Sequence, residues 1–226
     1  MEISVRSPMK IIRLLAMSSI HLSAKACQRY KGLEKQKKCD ILKGEEKEVY
    51  CMRSFLIVVD MQKDFVDGSL GTKEAVAILP AVTEKIRSFE GEIFVTYDTH
   101  FEDYMDTAEG QKLPVEHCVK GTVGWELHEA VQKALEGKTY TAVEKVTFGS
   151  VDLPELIAEE AGCEEMEIEL IGLCTDICVV SNALLLKANF PEETIKVDAA
   201  CCAGVTPKAH AAALQVMQSC QIEVHS

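Results

Sequence analysis

No apolar run in these 226 residues approaches the ~18 that a membrane-spanning helix needs, so nothing here reads as a bilayer partner. The chain also lacks both phosphate-cradling loops, G-x-G-x-x-G and G-x-x-x-x-G-K-[ST], which argues against a nucleotide site. It has no internal repeat. Basic charge is scarce over most of its length: residues 52–226 hold thirteen Lys/Arg against thirty Asp/Glu. So acidic a body makes a poor surface for nucleic acid or anionic lipid. A spacing suited to a disulfide framework is missing too, because the ten cysteines are uneven and Cys201 and Cys202 are adjacent. Reduced thiols and a cytoplasmic location follow as the expectation.

What is present is enough for one globular domain with a sizeable core. The first 51 residues differ from the rest, with eleven Lys/Arg and six Asp/Glu. Residues 10–26, "KIIRLLAMSSIHLSAKA", have the outline of an export signal, but Arg13 and His21 interrupt the apolar stretch. The charged, aperiodic segment that follows reads as a linker. Met52 then stands just before a strongly apolar strand, which suggests a natural start there. The expected organisation is an extension over 1–51, disordered or arising from an upstream start site, and a domain over 52–226. No chemistry is expected in the extension.

From Phe55 onward two kinds of segment alternate. "FLIVVD", "EIFVTYD", "YTAVEK", "EIELIGL", "TIKVDAA" and "IEV" read as strands, several with the continuous apolar runs of strands buried on both faces. "EAVAILPAVTEKIRSF" (with Pro80 as an irregularity), "WELHEAVQKAL", "LPELIAEEAG" closed by Gly162, residues 176–189 and "KAHAAALQVMQS" read as helices. The alternation predicts an α/β fold of three layers, α/β/α, around a mainly parallel, Rossmann-like sheet. Sites in such sheets lie at the carboxyl ends of the strands. There the sequence places Asp60, Asp98, Lys145 and the turn Cys174–Cys178.

Each has a plain reading and a chemical one. Cys174 and Cys178 serve equally as small buried hydrophobes. Alternatively, Cys178 lies about one turn into a helix, where free N–H groups and the dipole lower a thiol pKa and can hold an oxyanion. A zinc pair fits less well, because C-x3-C has no matching pair downstream. Asp60 is either a turn residue or a buried carboxylate in need of a partner. Lys145 is either solvated or an ammonium beside that carboxylate. Together the acid, amine and thiol form a plausible nucleophilic set.

Residues 99–122 form a polar stretch without periodicity. Asp98, His100, Glu109 and His117 there offer two imidazoles and two carboxylates, a donor set for a divalent ion such as Zn, Mn or Fe. Asp103 and Asp106 are rival oxygen donors, and a solvated acidic loop is the alternative to any metal.

Four motifs, "VVDMQKDF", "YDTH…EG…LPVEHCVKGTVGWE", "VEKVTFGS" and "GLCTDICVVSNA", together resemble the isochorismatase-like cysteine hydrolases, and among them the nicotinamidase-related amidases. The resemblance spans essentially the whole domain from Met52. It implies a catalytic triad of Asp60, Lys145 and Cys178 with Cys178 as nucleophile, and a cis Leu173–Cys174 bond. It also implies an oxyanion site made by the N–H groups of Cys174 and Cys178, Cys174 contributing only backbone. A divalent metal on Asp98, His100, Glu109 and His117 is implied, with Glu109 matching only part of the family. Phe65 matches a ring-stacking position, whereas Pro114 stands where relatives often place an aromatic; Trp125 or Tyr104 are the candidate replacements. The implied activity is hydrolysis of a small-molecule amide, nicotinamide first, with the pyridine nitrogen on the metal, in a homo-oligomer serving NAD salvage. Two other readings stay open: a C–N hydrolase acting on another small amide or a carbamoyl group, and a non-catalytic binding partner.

Overall fold

The computed structural model describes residues 52–226, apart from residue 163. The expected extension over 1–51, including the export outline and the linker, lies outside the described residues.

Strands β1 (Arg53–Val59), β2 (Glu92–Asp98), β3 (Tyr140–Lys145), β4 (Met166–Leu173), β5 (Thr194–Ala203) and β6 (Glu223–His225) form one sheet. Its order is β3-β2-β1-β4-β5-β6, and every neighbouring pair is parallel. The expected fold class is therefore met, with no antiparallel member. The order in which strands are added reverses between β1 and β4, and parallel sheets of this kind bind ligands beyond the carboxyl ends of the strands at such a point.

The helices are α1 (Lys63–Val66), α2 (Lys73–Ser88), α3 (Glu129–Ala134), α4 (Leu153–Ala161), α5 (Val180–Asn189) and α6 (Pro207–Ser219). β1 is the centre of the core, and its residues from Phe55 to Val59 are all 0% exposed. Phe55, Ile57 and Val59 face one apolar layer with Leu153 and Ile157 of α4, Leu186 of α5 and Met217 of α6. Leu56 and Val58 face the other, with Val82 and Ile86 of α2 and Val131 of α3. Burying each such side chain contributes roughly 1.5–3 kcal/mol, which is why an uninterrupted apolar run is found here rather than an alternating one.

Local chemistry sets the helix limits. Thr72 and Thr206 cap α2 and α6 by accepting the N–H of Ala75 and Ala209. α2 runs through Pro80, which is exposed, so the carbonyl one turn back can take water in place of the missing N–H. The helix expected from Trp125 starts only at Glu129. Leu127 instead bridges to Gln62, and the His128 ring accepts the Ala130 N–H as a cap. Likewise, the helix expected from residue 176 begins at Val180; before it comes a wide turn closed by Val179 N–H to Cys174 O at 3.1 Å. β5 runs on to Ala203, and its register to β4 shifts between Leu170 and Gly172. Gly172 is at φ 117°, and a Cβ there would lie 2.2 Å from the Val59 carbonyl, so this close approach of β4 to β1 admits only glycine.

At that register shift Lys85 ties α2 to the sheet. Its Nζ lies 2.8 Å from both Glu169 Oε1 and Asp198 Oδ2. Glu169, Asp198 and His225 could otherwise group around a cation, but the Lys85 ammonium fills that position. Burial alone would raise the Asp198 carboxyl; Lys85 outweighs it and holds the group below its usual 3.8. The folded protein therefore binds that proton less readily than the unfolded chain. The stabilisation is present above the unfolded value and lost as pH falls through the folded one. Lys85→Met is expected to cost about 1–3 kcal/mol by urea unfolding at pH 7, below the fully buried range because Lys85 is partly exposed. The gap between wild type and variant should narrow below about pH 4.

Candidate active site

Four strand ends supply the site, as the doubly wound topology requires. Asp60 follows β1, Asp98 ends β2, Lys145 ends β3, and the Cys174–Cys178 turn follows β4. β2 and β3 pair with Asp98 opposite Lys145, which fixes the Lys145 side chain beside the β1 end.

Lys145 is buried rather than solvated. Its Nζ lies 2.7 Å from Asp60 Oδ2, 3.0 Å from Asp98 Oδ1 and 3.5 Å from Cys178 Sγ. The structure thus brings Asp60, Lys145 and Cys178 together around one ammonium. Asp60 is fully buried, at φ 48°, and such a backbone costs roughly 1–3 kcal/mol for a residue other than glycine. Its Oδ1 accepts the Thr96 hydroxyl at 2.6 Å, and its backbone N–H donates to the Thr96 hydroxyl oxygen at 3.2 Å. Oδ2 faces the ammonium but makes no hydrogen bond of ordinary geometry, so it retains capacity to take a proton.

Charge and burial compete at each group. Burial raises the Asp60 carboxyl and Lys145 pulls it back, leaving it above its usual value. For Asp98 burial also works upward, but His100 and Lys145 outweigh it and hold the carboxyl low. Burial alone would lower Lys145; the carboxylates of Asp60 and Asp98 reverse that and keep it cationic. Burial lifts the Cys178 thiol well above its usual range, and the charge of Asp60 adds to the rise. This corrects the expectation of a thiol acidified by a helix terminus. The α-helix begins after Cys178, and at a fully buried sulfur desolvation exceeds the dipole effect. Burial and the Asp60 charge both favour the neutral thiol over the thiolate.

Cys174 and Cys178 point into different layers. Cys178 belongs to the core of α4 and α5, whereas Cys174 packs against that of α2 and α3. The peptide bond Leu173–Cys174 is cis, as expected.

Beside the triad, Asp98, His100 and His117 each offer one ligand atom, all within 4.8 Å of one another. Glu109 Oε1 lies 3.9 Å from His100 Nε2 and 3.8 Å from His117 Nε2. His117 Nδ1 bonds the Val115 carbonyl at 2.8 Å, which leaves Nε2 free. His100 Nε2 is buried 3.1 Å from Asp98 Oδ2 but makes no hydrogen bond of ordinary geometry, and a cation shared by the two would satisfy it. Two imidazoles and two carboxylates therefore fit a divalent ion. Asp103 and Asp106 are exposed and stand outside the group.

The aromatic candidates separate. The Phe65 ring lies 5.4 Å from that of His117. Tyr104 packs on both imidazoles, at 4.6 and 5.1 Å, with its hydroxyl on the Leu113 carbonyl at 2.8 Å. Trp125 is engaged elsewhere, stacked on Tyr97 at 5.3 Å with its N–H on Thr99 at 3.0 Å. Pro114 is exposed.

Three supporting residues escaped the sequence reading. Gln62 holds the ends of β1 and β2 together, accepting the Asp98 N–H at 2.8 Å and donating to the Asp98 carbonyl at 2.9 Å. Thr96 orients Asp60. Asn182, fully buried, accepts the Ser150 N–H at 2.9 Å and donates to the Cys178 carbonyl at 2.8 Å. The available signal was a lone polar residue within an apolar run, as with Thr96 in "EIFVTYD".

A buried thiol needs a base close by, and a carboxylate buried beside an ammonium is suited to be one; with no coenzyme cradle in the sequence, this is the arrangement of a hydrolase that works through cysteine. The isochorismatase domain family matches residues 54–226, and the chain belongs to it. Its structural neighbours include a nicotinamidase/pyrazinamidase from Bacillus subtilis, 27% identical with a TM-score of 0.67, covering 77% of this chain and 100% of that one. A pyrazinamidase/nicotinamidase from Streptococcus mutans is 27% identical, with a TM-score of 0.65 and coverage of 76% and 99%. A pyrazinamidase from Pyrococcus horikoshii, in complex with zinc, is 26% identical, with a TM-score of 0.63 and coverage of 77% and 99%. No curated protein sequence matches the chain. Fold, family and neighbours make this protein an amide hydrolase of the cysteine-hydrolase type. No helix among the described residues is long and apolar enough to cross a membrane.

Proposed function

We propose that residues 52–226 form a nicotinamidase-like domain that hydrolyses nicotinamide, or a closely similar neutral amide, to the carboxylate and ammonia. The observation that carries this reading is the Lys145 ammonium lying within 3.5 Å of Asp60, Asp98 and Cys178 at once. Asp60 removes the Cys178 proton, and the sulfur attacks the carboxamide carbon. The N–H groups of Cys174 and Cys178 hold the resulting oxyanion. As the C–N bond breaks, Asp60 gives its proton to the leaving ammonia, and a thioester remains on Cys178. Asp60 then takes a proton from water, whose oxygen attacks the thioester; the carboxylic acid leaves and the thiol regains its proton. Lys145 stays charged and steadies each anion in turn.

Asp98, His100, Glu109 and His117 would hold a zinc, manganese or iron ion. When bound, such an ion supplies a Lewis acid able to fix a heteroaromatic nitrogen beside the nucleophile. Phe65 would pack against the substrate ring. The acidic loop around this cluster, with Glu102, Asp103, Asp106 and Glu116 exposed, disfavours an anionic substrate and supports an uncharged one. Cys118, Cys174, Cys178, Cys201, Cys202 and Cys220 carry free thiols, which suits a cytoplasmic enzyme of NAD salvage; a homo-oligomer is part of the proposal by family analogy.

Ammonia release from nicotinamide by the metal-replete protein tests this reading. Stripping the metal with a chelator should lower kcat/KM by at least ~10²-fold, and adding Zn²⁺ or Mn²⁺ should restore it. A second reading follows from the engagement of Trp125 by Tyr97 and the exposure of Pro114, which leave Phe65 without an obvious opposing ring. It is hydrolysis of a non-aromatic amide or carbamoyl group. If nicotinamide releases no ammonia while another member of an amide panel does, the second reading replaces the first.

A further inference from the structure

The chemistry above makes no use of Asp64, yet its carboxylate is built into the loop that carries His117. Asp64 sits on α1, next to Phe65. Its Oδ2 accepts the Cys118 N–H at 2.8 Å, and its Oδ1 accepts the Ser69 N–H at 3.3 Å. Cys118 follows His117 directly, is 0% exposed and stands at φ 47°. A residue other than glycine keeps this left-handed conformation only when its surroundings impose it.

Two restraints impose it. From the β2 side, the His100 N–H donates to the Cys118 carbonyl at 3.0 Å, and the Lys120 N–H returns to the His100 carbonyl at 2.9 Å. From the α1 side, Asp64 takes the Cys118 N–H. A carboxylate accepting a backbone N–H makes a stronger bond than a neutral oxygen would. The third side of Asp64 is closed by Gly124, where a Cβ would lie 2.0 Å from Asp64 Oδ2. Glycine there leaves room for the carboxylate and for nothing larger. With Cys118 held through both its N–H and its carbonyl, His117 points Nε2 to within 3.7 Å of Asp98 Oδ2 and 3.8 Å of Glu109 Oε1.

We propose that Asp64 is a positioning residue for the metal centre: through the Cys118 N–H it sets the backbone of His117, so that this ligand is in place before an ion arrives. The inference rests on the metal reading of the Asp98–His100–Glu109–His117 cluster. Partners of this outer kind typically change metal affinity by roughly 10–100-fold.

The test uses the full chain stripped of metal, titrated calorimetrically with Zn²⁺, as wild type, Asp64→Asn and Gly124→Ala. The first substitution removes the charge at nearly constant shape; the second displaces the same carboxylate with its charge intact. The expected result is a Kd about 10–100-fold higher in both variants. The melting temperature of the metal-free forms should fall by only about 2–4 °C, and amide exchange at Cys118 should become faster. Loss of affinity without loss of the fold separates positioning from general support, and Gly124→Ala carries the test if Asp64→Asn does not fold. Variants that bind Zn²⁺ within about twofold of wild type overturn the role of Asp64 alone. A wild type that binds no Zn²⁺ overturns the metal reading, and this inference with it.

Discussion

Replacing Cys178 by alanine is expected to lower turnover by about 10⁶-fold while the fold survives. The magnitude is that of removing a nucleophile from a set of groups that act as a unit. Loss of one sulfur from a packed site should cost about 1 kcal/mol, too little to unfold a domain of this size. Cys174→Ala is the informative partner. Cys174 packs in the opposite layer from Cys178 and would contribute only its backbone N–H, so this variant should keep most of its activity. The measurement is ammonia release by both variants, with urea unfolding alongside. Comparable activity in Cys178→Ala and wild type would remove the thioester mechanism. Equal loss in both variants would mean that the turn, rather than one thiol, was being tested.

The four strand ends were legible in the sequence for a physical reason. Strands buried on both faces read as unbroken apolar runs, so the first charged residue after each run marks where the strand leaves the core. Asp60 and Asp98 stand at such breaks, and Lys145 stands one residue past Glu144 at the end of the edge strand β3. A parallel sheet then sends every carboxyl end to the same edge, and four residues scattered from 60 to 178 become neighbours without any contact having been known.

The supports of the site were not legible, because their partners are remote. Thr96 is 36 residues from Asp60, and Asn182 is 32 from Ser150; no local pattern links such pairs. The start of α3 was misread because the apolar spacing of "WELHEAVQKAL" is helical, whereas Leu127 is held by its bridge to Gln62. The state of Cys178 failed in the same way. A helix terminus is a local signal and argues for an acidic thiol, but burial is decided by the whole core, and here it prevails. Asp64 is the clearest case, since its value depends on the left-handed turn at Cys118, a feature invisible until the chain is folded.

Asp60→Asn should reduce kcat/KM by about 10²–10⁴-fold, the range for losing a general base, and should also change the shape of the pH profile. In the wild type the thiol is raised well above its usual range by burial and by Asp60 itself, so the proposed mechanism depends on a base being ready. Asp60 is ready once it is deprotonated. Its carboxyl is raised above the usual 3.8 by burial, against the pull of Lys145. Activity should therefore climb as pH rises through the Asp60 value and then level off. An asparagine cannot take the proton. Its amide also cannot serve both neighbours, because an oxygen facing Thr96 turns the NH₂ group toward the Lys145 ammonium, which lies 2.7 Å from Oδ2 in the wild type. What activity remains must use the thiolate that forms spontaneously, a fraction that grows about tenfold per pH unit below the thiol pKa. The residual rate of Asp60→Asn should thus keep rising with pH beyond the point at which the wild type levels off, although losing the Asp60 charge removes one of the causes that raise the thiol. A variant profile that levels off with the wild type would mean that another group takes the proton. It would also make Asp60 a partner that holds Lys145 in place rather than the base.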